Sequence, residues 1–470
     1  MNLPEVFRTR MSEALGSSYG DFIASFELPA KKGVRLSTAK LTPDMYQSVL
    51  SDLGQSGNRV PWTSCGFYYS GETSGKDPYY HAGVYYPQEP SAMLPAEVLS
   101  AKPGEIILDL CAAPGGKACR IGEDLKGSGL LVANEINADR SKALNRNIER
   151  SGITNCVILN ETPQKIASRL PGFFDKILID APCSGEGMFR RDPHAVKSWE
   201  DYGPDQVSKL QFEIITEAAG MLKPGGEIVY STCTFAKIED EDLINRFLET
   251  HPEFIIVPHP EIEGVTHNDD GTMRIWPHLS DGDGHFCAHL KDTSDKQRII
   301  YDTDTVQTKP QVIMKNTEVM LKTLREFLTG PALDDLKERC MSQLLVNGAG
   351  LYLMPVNIRL FDGLRIVKSG LFLGEIKTTK TDRVFVPSNS FPLTLDKEKV
   401  RADSLVSFDR NDIQLEKYLK GETIVISDGT AEGLKQNGTV VIAVNGYPLG
   451  LGKISSGSIK NLYPKAWRLI

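Results

Sequence analysis

The stretch Ile177-Leu-Ile-Asp-Ala-Pro-Cys-Ser-Gly-Glu-Gly187 decides how the chain is read. A short apolar run, of the length of a buried strand, ends in a carboxylate, Asp180. A proline then fixes the backbone just before a thiol, Cys183. Two glycines follow and permit close approach of a planar ligand. About fifty residues on, a second apolar run ends the same way, in Val229-Tyr-Ser-Thr-Cys-Thr-Phe235. An acid and two thiols at the ends of successive predicted strands suggest covalent chemistry on an electron-poor ring.

Outward from this stretch, residues 93 to 235 alternate strand and helix. Strands are expected at Ile106–Leu110, Leu130–Ala133, Cys156–Leu159, Ile177–Ile179 and Ile228–Ser231, with helices near 117–126, 138–150, 163–170 and 206–222. That alternation predicts a doubly wound parallel sheet, whose ligands bind beyond the carboxyl ends of the strands. Each unusual residue falls at such an end. The first is Asp109-Leu-Cys-Ala-Ala-Pro-Gly-Gly-Lys117, a Gly-rich turn without the G-x-G-x-x-G that cradles a pyrophosphate. The second is Asn134-Glu135, where an acid can accept hydrogen bonds from both hydroxyls of a ribose. Together they favour a nucleoside cofactor without pyrophosphate, and S-adenosylmethionine fits. The third end, Asn160-Glu-Thr162, can hold an adenine. Lys223-Pro-Gly-Gly226 reads as a turn from helix into sheet.

Arg190, Arg191, Lys197 and Trp199 read either as contacts to a substrate backbone or as a solvated loop. Glu239-Asp-Glu-Asp242 reads as structural, opening a helix with negative charge. Residues 274–291 read as a hairpin closing the sheet.

The flanks differ in character. Residues 1–92 read as a small mixed α+β domain with an aromatic segment, Trp62 to Tyr86, that either stacks on unpaired bases or packs a core. Residues 294–386 read as a linker followed by helices at Thr317–Leu328 and Leu333–Leu345 and short strands. Residues 387–470 read as a β-rich module, with strands at Ile424–Ser427, Thr439–Val444 and Tyr447–Lys453. Its last thirty residues contain Lys453, Lys460, Lys465 and Arg468 and no acid, as suits a module touching phosphate.

Composition bounds the rest. With 470 residues, 40% apolar and 24% charged, the chain is an ordinary globular one of about three domains. The net charge of −8 argues against indiscriminate coating of nucleic acid. No signal peptide or membrane-length apolar run is seen, so a cytoplasmic protein without membrane contact is expected. The eight cysteines show no CxxC or Cys/His cluster, which argues against disulfides and metal. Cys65, Cys156, Cys287 and Cys340 read as small buried apolar residues.

Two thiols and a carboxylate on a cofactor-binding sheet are parts that methylation of cytosine C5 can use. A thiolate adding at C6 makes C5 nucleophilic, a donor at N3 assists the addition, and a second thiol can help release the product. Spacing does not decide which cysteine attacks. The motifs Asp109–Lys117, Asp180-Ala-Pro-Cys-Ser-Gly-Glu-Gly187, Ser231-Thr-Cys-Thr-Phe235 and Arg274-Ile-Trp-Pro-His278 with Gly284, Phe286 and Lys291 closely resemble the NOL1/NOP2/Sun family of RNA cytosine-C5 methyltransferases. Pro4-Glu-Val-Phe7 and Tyr85-Tyr-Pro-Gln-Glu-Pro-Ser91 extend the likeness to a bacterial ribosomal-RNA branch.

The resemblance implies a Rossmann-like S-adenosylmethionine-dependent core over 93–293, behind an N-terminal RNA-binding domain. It makes Cys233 the nucleophile, Cys183 the helper in product release and Asp180 the contact to the base. It places the cofactor on Cys111, Ala112, Ala113, Pro114, Gly115, Gly116, Lys117, Glu135 and Asp180. Where the family carries an aspartate after the third strand, Asn160, Glu161 and Thr162 must share the adenine contact. Gly450-Leu-Gly-Lys453 and Lys460-Asn-Leu-Tyr-Pro-Lys465 resemble a PUA-like RNA-binding module.

The expected substrate is structured RNA, 16S rRNA of the small ribosomal subunit near the decoding site. Transfer RNA, or a non-catalytic role in ribosome assembly, are the alternatives. A DNA cytosine methyltransferase would instead depend on Cys183.

Overall fold

In the computed structural model the described residues are 3–71, 75–295, 297–304, 308–380, 382–426 and 433–469. Ser427, the end of one expected strand, lies outside them.

The N-terminal part carries helices α1 (Glu5–Leu15) and α2 (Tyr19–Ser25), strand β1 (Lys32–Leu36), helix α3 (Tyr46–Asp52), strand β2 (Gly66–Tyr69), helix α4 (Pro78–His81) and strand β3 (Tyr85–Pro87). The strands form an antiparallel sheet in the order β2-β1-β3. Here the aromatic segment finds its role. Trp62, Phe67, Tyr69, Tyr79 and Tyr85 are buried, so those five rings pack a core and cannot stack on bases.

Helix α5 (Leu94–Leu99) leads into the alternation expected for the core: β4 (Ile106–Asp109), α6 (Gly116–Asp124), β5 (Leu130–Asn134), α7 (Ala138–Arg150), β6 (Cys156–Leu159), α8 (Pro163–Arg169), β7 (Phe174–Asp180), α9 (Pro193–Met221) and β8 (Leu222–Thr232). Helix α7 shows why the local reading works. Asn137 caps it by accepting from the amides of Asp139 and Arg140, and Ser141, Leu144 and Ile148 form its buried stripe. Helix α9 begins well before the expected residue 206 and kinks at Gly203–Pro204. Lys223-Pro-Gly-Gly226 bulges between the pairs Phe174–Leu222 and Lys176–Glu227.

Strands β4, β5, β6, β7 and β8 are parallel, in the order β8-β7-β4-β5-β6. The order reverses at β4, and the crevice at that switch lies above its carboxyl end. Buried apolar side chains fill both faces of this sheet, each contributing roughly 1.5–3 kcal/mol. After α10 (Glu241–Thr250), β9 (Phe254–Ile256) and β10 (Thr266–His267), the expected hairpin forms from β11 (Met273–Ile275) and β12 (His285–Asp292). Strand β12 pairs antiparallel with β8, with Phe286 opposite Thr232.

Beyond the core come α11 (Pro310–Leu324), α12 (Gly330–Gln343), β13 (Leu344–Asn347), β14 (Gly350–Leu353), β15 (Ile366–Ser369), β16 (Leu371–Thr378) and β17 (Arg383–Pro387). Strand β15 leaves its neighbours and pairs antiparallel with β6, so the region read as 294–386 donates an edge strand to the core sheet. The tail holds β18 (Leu405–Phe408), α13 (Ile413–Lys420), β19 (Ile424–Val425), β20 (Asn437–Val444), β21 (Tyr447–Ser455) and β22 (Ser458–Asn461). Its core is shared with the N-terminal domain. The Arg410 guanidinium donates to Asp77 at 2.8 Å, and His81 Nδ1 lies 2.8 Å from the Tyr463 hydroxyl. Among the described residues, no helix is long and apolar enough to cross a membrane.

Candidate active site

The two thiols leave adjacent parallel strands. Asp180 at the end of β7 faces Ser231 of β8, so the following loops run side by side, and Cys183 Sγ lies 3.3 Å from Cys233 Sγ. The Gly187 amide donates to the Cys233 carbonyl at 2.8 Å. A Cβ at position 187 would sit 2.9 Å from that oxygen and 3.1 and 3.2 Å from the carbonyls of Asp283 and Gly284, which is why a glycine stands there.

Two buried carboxylates brace the loop. Glu239 accepts from the Ser184 amide and from Gln211 Nε2, both at 2.9 Å, and from the Ser184 hydroxyl. Glu186 accepts from the Phe235 amide at 3.0 Å, from Trp199 Nε1 at 2.8 Å and from Arg10. Burial, reinforced by Glu186, pushes the Glu239 carboxyl up to about 7 against the Ser184 hydrogen bonds. The hydrogen bond to Cys233, followed by burial, holds the Cys183 thiol well above its ordinary range, so Cys183 keeps its proton.

Asp180 has the opposite charge state. Burial alone would raise it, but the Lys117 ammonium at 2.8 Å, then His285, hold it well below the usual carboxylate range. Ser231 Oγ donates to it at 2.9 Å, and His285 Nε2 stands 3.6 Å away. An ion-paired Asp180 has no proton of its own to give to a base.

Two cavities, of about 400 and 330 Å³, meet at these groups and share Cys111, Ala113, Asp180, Ala181 and Cys233. The larger runs over the ends of β5 and β6, past Glu135 and Thr162, and includes Cys183. The smaller runs over the end of β4, past Ala112, Pro114, Gly116, Lys117, Gln88 and His285. Gly115 lines neither cavity. Its φ of +117° turns the chain into α6, whose first residues, Gly116 and Lys117, line the smaller cavity.

Asp109, fully buried, lines the smaller cavity, and among the described residues no side chain donates to its carboxylate oxygens. Burial and the nearby Asp180 push its carboxyl up to about 8, against Lys117. A buried carboxyl without a side-chain partner suits a polar ligand. Glu135 keeps one oxygen on the Asn137 amide at 2.8 Å and the other 3.4 Å from Arg140.

Several expectations change. Asn160 lines neither cavity, because its amide donates to the carbonyls of Glu135 and Ile136 at 2.7 and 2.8 Å and holds the β5 turn in place. Glu161 is taken by Lys165 and Arg365. Thr162 lines the larger cavity while capping α8 through the Lys165 amide. Arg190 and Arg191 both pair with Asp283, and Trp199 is buried on Glu186, so these three build the site from within. Lys197 alone of that group is exposed.

The acidic run splits. Glu239 and Asp240 are buried before α10 begins, and Asp240 joins Thr232 at 2.6 Å to Arg274 at 2.9 Å, while Glu241 and Asp242 occupy the first turn of the helix. Glu239, Gln211 and His285 were missed as site residues. The nearness of Glu239 to the Cys233 turn and of His285 to Gly284 were the available signals. Cys65, Cys156, Cys287 and Cys340 are buried, as expected.

Residues 96–291 match the family described as 16S rRNA methyltransferase RsmB/F. Residues 3–90 match the N-terminal domain of 16S rRNA methyltransferase RsmF, 331–395 its first C-terminal domain and 406–469 its PUA domain. The chain is 29% identical to the ribosomal RNA small subunit methyltransferase F of Shewanella amazonensis, over 95% of this chain and 94% of that one. It is 28% identical to the protein of the same description from Escherichia coli strain K12, over 98% and 96%. Among solved structures, a methyltransferase homologue from Pyrococcus horikoshii superposes with a TM-score of 0.53 at 27% identity, over 62% of this chain and 95% of that one. A Rossmann-like core between RsmF-type N-terminal and PUA domains, matched along nearly its whole length, places the chain in the RsmB/F family of 16S rRNA methyltransferases.

Proposed function

We propose that the chain transfers the methyl group of S-adenosylmethionine to C5 of a cytosine in 16S rRNA, near the decoding site of the small subunit and in the cytoplasm, through a covalent bond between Cys233 and C6 of the base. The observation that carries this reading is the pair of sulfurs 3.3 Å apart, one held protonated, beside a carboxylate held ionised by Lys117.

Cytosine C5 is a poor nucleophile until C6 carries a thiolate. As the S–C6 bond forms, the Cys233 thiol proton passes to Asp180 and on to N3, which takes up the electron pair displaced through the ring. Lys117, Ser231 and His285 hold Asp180 ionised, so that it passes that proton on to N3 rather than keeping it, and orient it to accept from the exocyclic amine that distinguishes cytosine from uracil. S-adenosylmethionine, when bound, supplies the methyl as an electrophile. Glu135 is placed to accept from ribose hydroxyls, and Asp109 turns a buried carboxyl toward the ligand from the floor of the smaller cavity. After transfer, C5 gives its proton to solvent, N3 returns its proton to Asp180 and the S–C6 bond breaks. Cys183 then donates its S–H to the departing sulfur and takes up the proton that Asp180 received, so that both groups regain their starting states.

The test pairs Cys183→Ala and Cys233→Ala with labelled cofactor and 16S rRNA on a denaturing protein gel. Cys183→Ala is expected to accumulate a protein–RNA adduct and Cys233→Ala to form none. An adduct only in Cys233→Ala reverses the two roles. Absence of methyl transfer by the wild type overturns the reading.

A further inference from the structure

We propose that Arg10, on helix α1, is a positioning residue for the thiol loop, so that the N-terminal helical hairpin completes the active site from outside the catalytic core. The inference rests on the methyltransferase reading above. Glu186 is fully buried, and among the described residues Arg10 is the cation that pairs with it, from 176 residues away in sequence. The other two donors on Glu186 are neutral: Trp199 Nε1 and the amide of Phe235, two residues past Cys233. The next residue, Gly187, holds the Cys233 carbonyl. The carboxylate thus fixes the chain two residues beyond the thiol, and the backbone next to it holds the thiol's own carbonyl.

Packing holds the hairpin against this loop independently of Arg10. Phe7 of α1 meets Phe189 edge-on at 5.3 Å, and Phe22 of α2 meets Phe235 at 5.2 Å and 90°. Removing the guanidinium therefore leaves the hairpin docked but strands a buried carboxylate. Two neutral donors alone then face that carboxylate, and its hold on the Phe235 amide loosens. Arg10 is about one-third exposed, so water can reach the vacated place.

The experiment compares Arg10→Met, Arg10→Lys, Glu186→Gln and the Arg10→Met/Glu186→Gln double variant in methyl transfer to 16S rRNA. Arg10→Met is expected to lower kcat about tenfold with KM for RNA nearly unchanged, as befits an interaction expressed in the chemical step. Arg10→Lys keeps the charge and is expected to recover most of the rate. The double variant is expected to be no worse than Glu186→Gln alone, because the two residues act as a unit.

A second readout needs neither RNA nor cofactor. Alkylation of Cys233 by iodoacetamide, followed by peptide mapping, is expected to quicken severalfold in Arg10→Met and not in Arg10→Lys. A raised KM with unchanged kcat and unchanged alkylation would make Arg10 an RNA contact instead, and unchanged values throughout would show that Glu186 needs no cation. If the wild type itself fails to methylate 16S rRNA, the proposed function falls while the alkylation comparison still decides the role of Arg10.

Discussion

Replacing Gly187 with alanine perturbs the thiol loop without touching a sulfur or a charge. The added Cβ would lie 2.9 Å from the Cys233 carbonyl oxygen, whereas ordinary contact begins near 3.4 Å, so the two must part by about 0.5 Å. The Asp283 and Gly284 carbonyls, at 3.1 and 3.2 Å, block escape on the other side. Since all three neighbours are backbone, no side chain can swing away. Overpacking of this kind costs about 1–3 kcal/mol, and weakening the amide bond to Cys233 adds roughly 1 kcal/mol. Melting of the catalytic core, of about 200 residues, is expected to fall by about 4–16 °C. A half-ångström displacement of the nucleophile is expected to slow single-turnover methyl transfer roughly 10- to 100-fold.

Gly220→Ala is the control. Its Cβ meets nothing within 4 Å near the end of α9, so a neutral or slightly stabilising change is expected, of at most about 1 kcal/mol. If Gly187→Ala equals wild type in both rate and melting, the loop is not packed as the distances require and the reasoning is refuted.

Lys117→Met removes the ammonium 2.8 Å from Asp180, leaving burial less opposed, so the Asp180 carboxyl rises. The acid limb of the rate profile is expected to move to higher pH, and an unmoved limb rejects the assigned charge state. His81 is buried between Tyr463 and the Gly75 carbonyl, and burial lowers it from 6.5 to about 4. Because the unfolded chain binds that proton more readily, the stability is present above pH 6.5 and is lost as pH falls toward 4, by roughly 3 kcal/mol in all. Urea unfolding across this range should show the slope in wild type and its loss in His81→Gln.

The catalytic strands were legible because their signals are local. Four of the five are short, largely apolar runs ending in a polar or Gly-rich turn, and the fifth, β8, carries such a run at its carboxyl end; a parallel sheet buries both faces of such runs. The placement of Asp180, Cys183, Cys233 and Glu135 at strand ends follows from that pattern and the handedness of the crossovers. Asn160 escaped correct reading for a local reason as well. Its type suits a ligand contact equally well as a hydrogen bond to the carbonyls of the neighbouring turn, and the turn took it.

What the sequence determined by itself was the alternating core, the order of its chemistry-bearing turns and the presence of two thiols with an acid. These depend on residue type and periodicity over a dozen positions. Only the tertiary structure decided the charge states and the braces. Lys117 meets Asp180 across 63 positions of chain, Glu239 reaches Ser184 across 55 and Arg10 reaches Glu186 across 176. Likewise, the tyrosines near residue 80 were committed to a core shared with the tail module, and Arg190 and Arg191 to Asp283, by partners far off in sequence. An ionisable group's protonation and an aromatic ring's exposure depend on what surrounds them in three dimensions, and no local pattern carries that information.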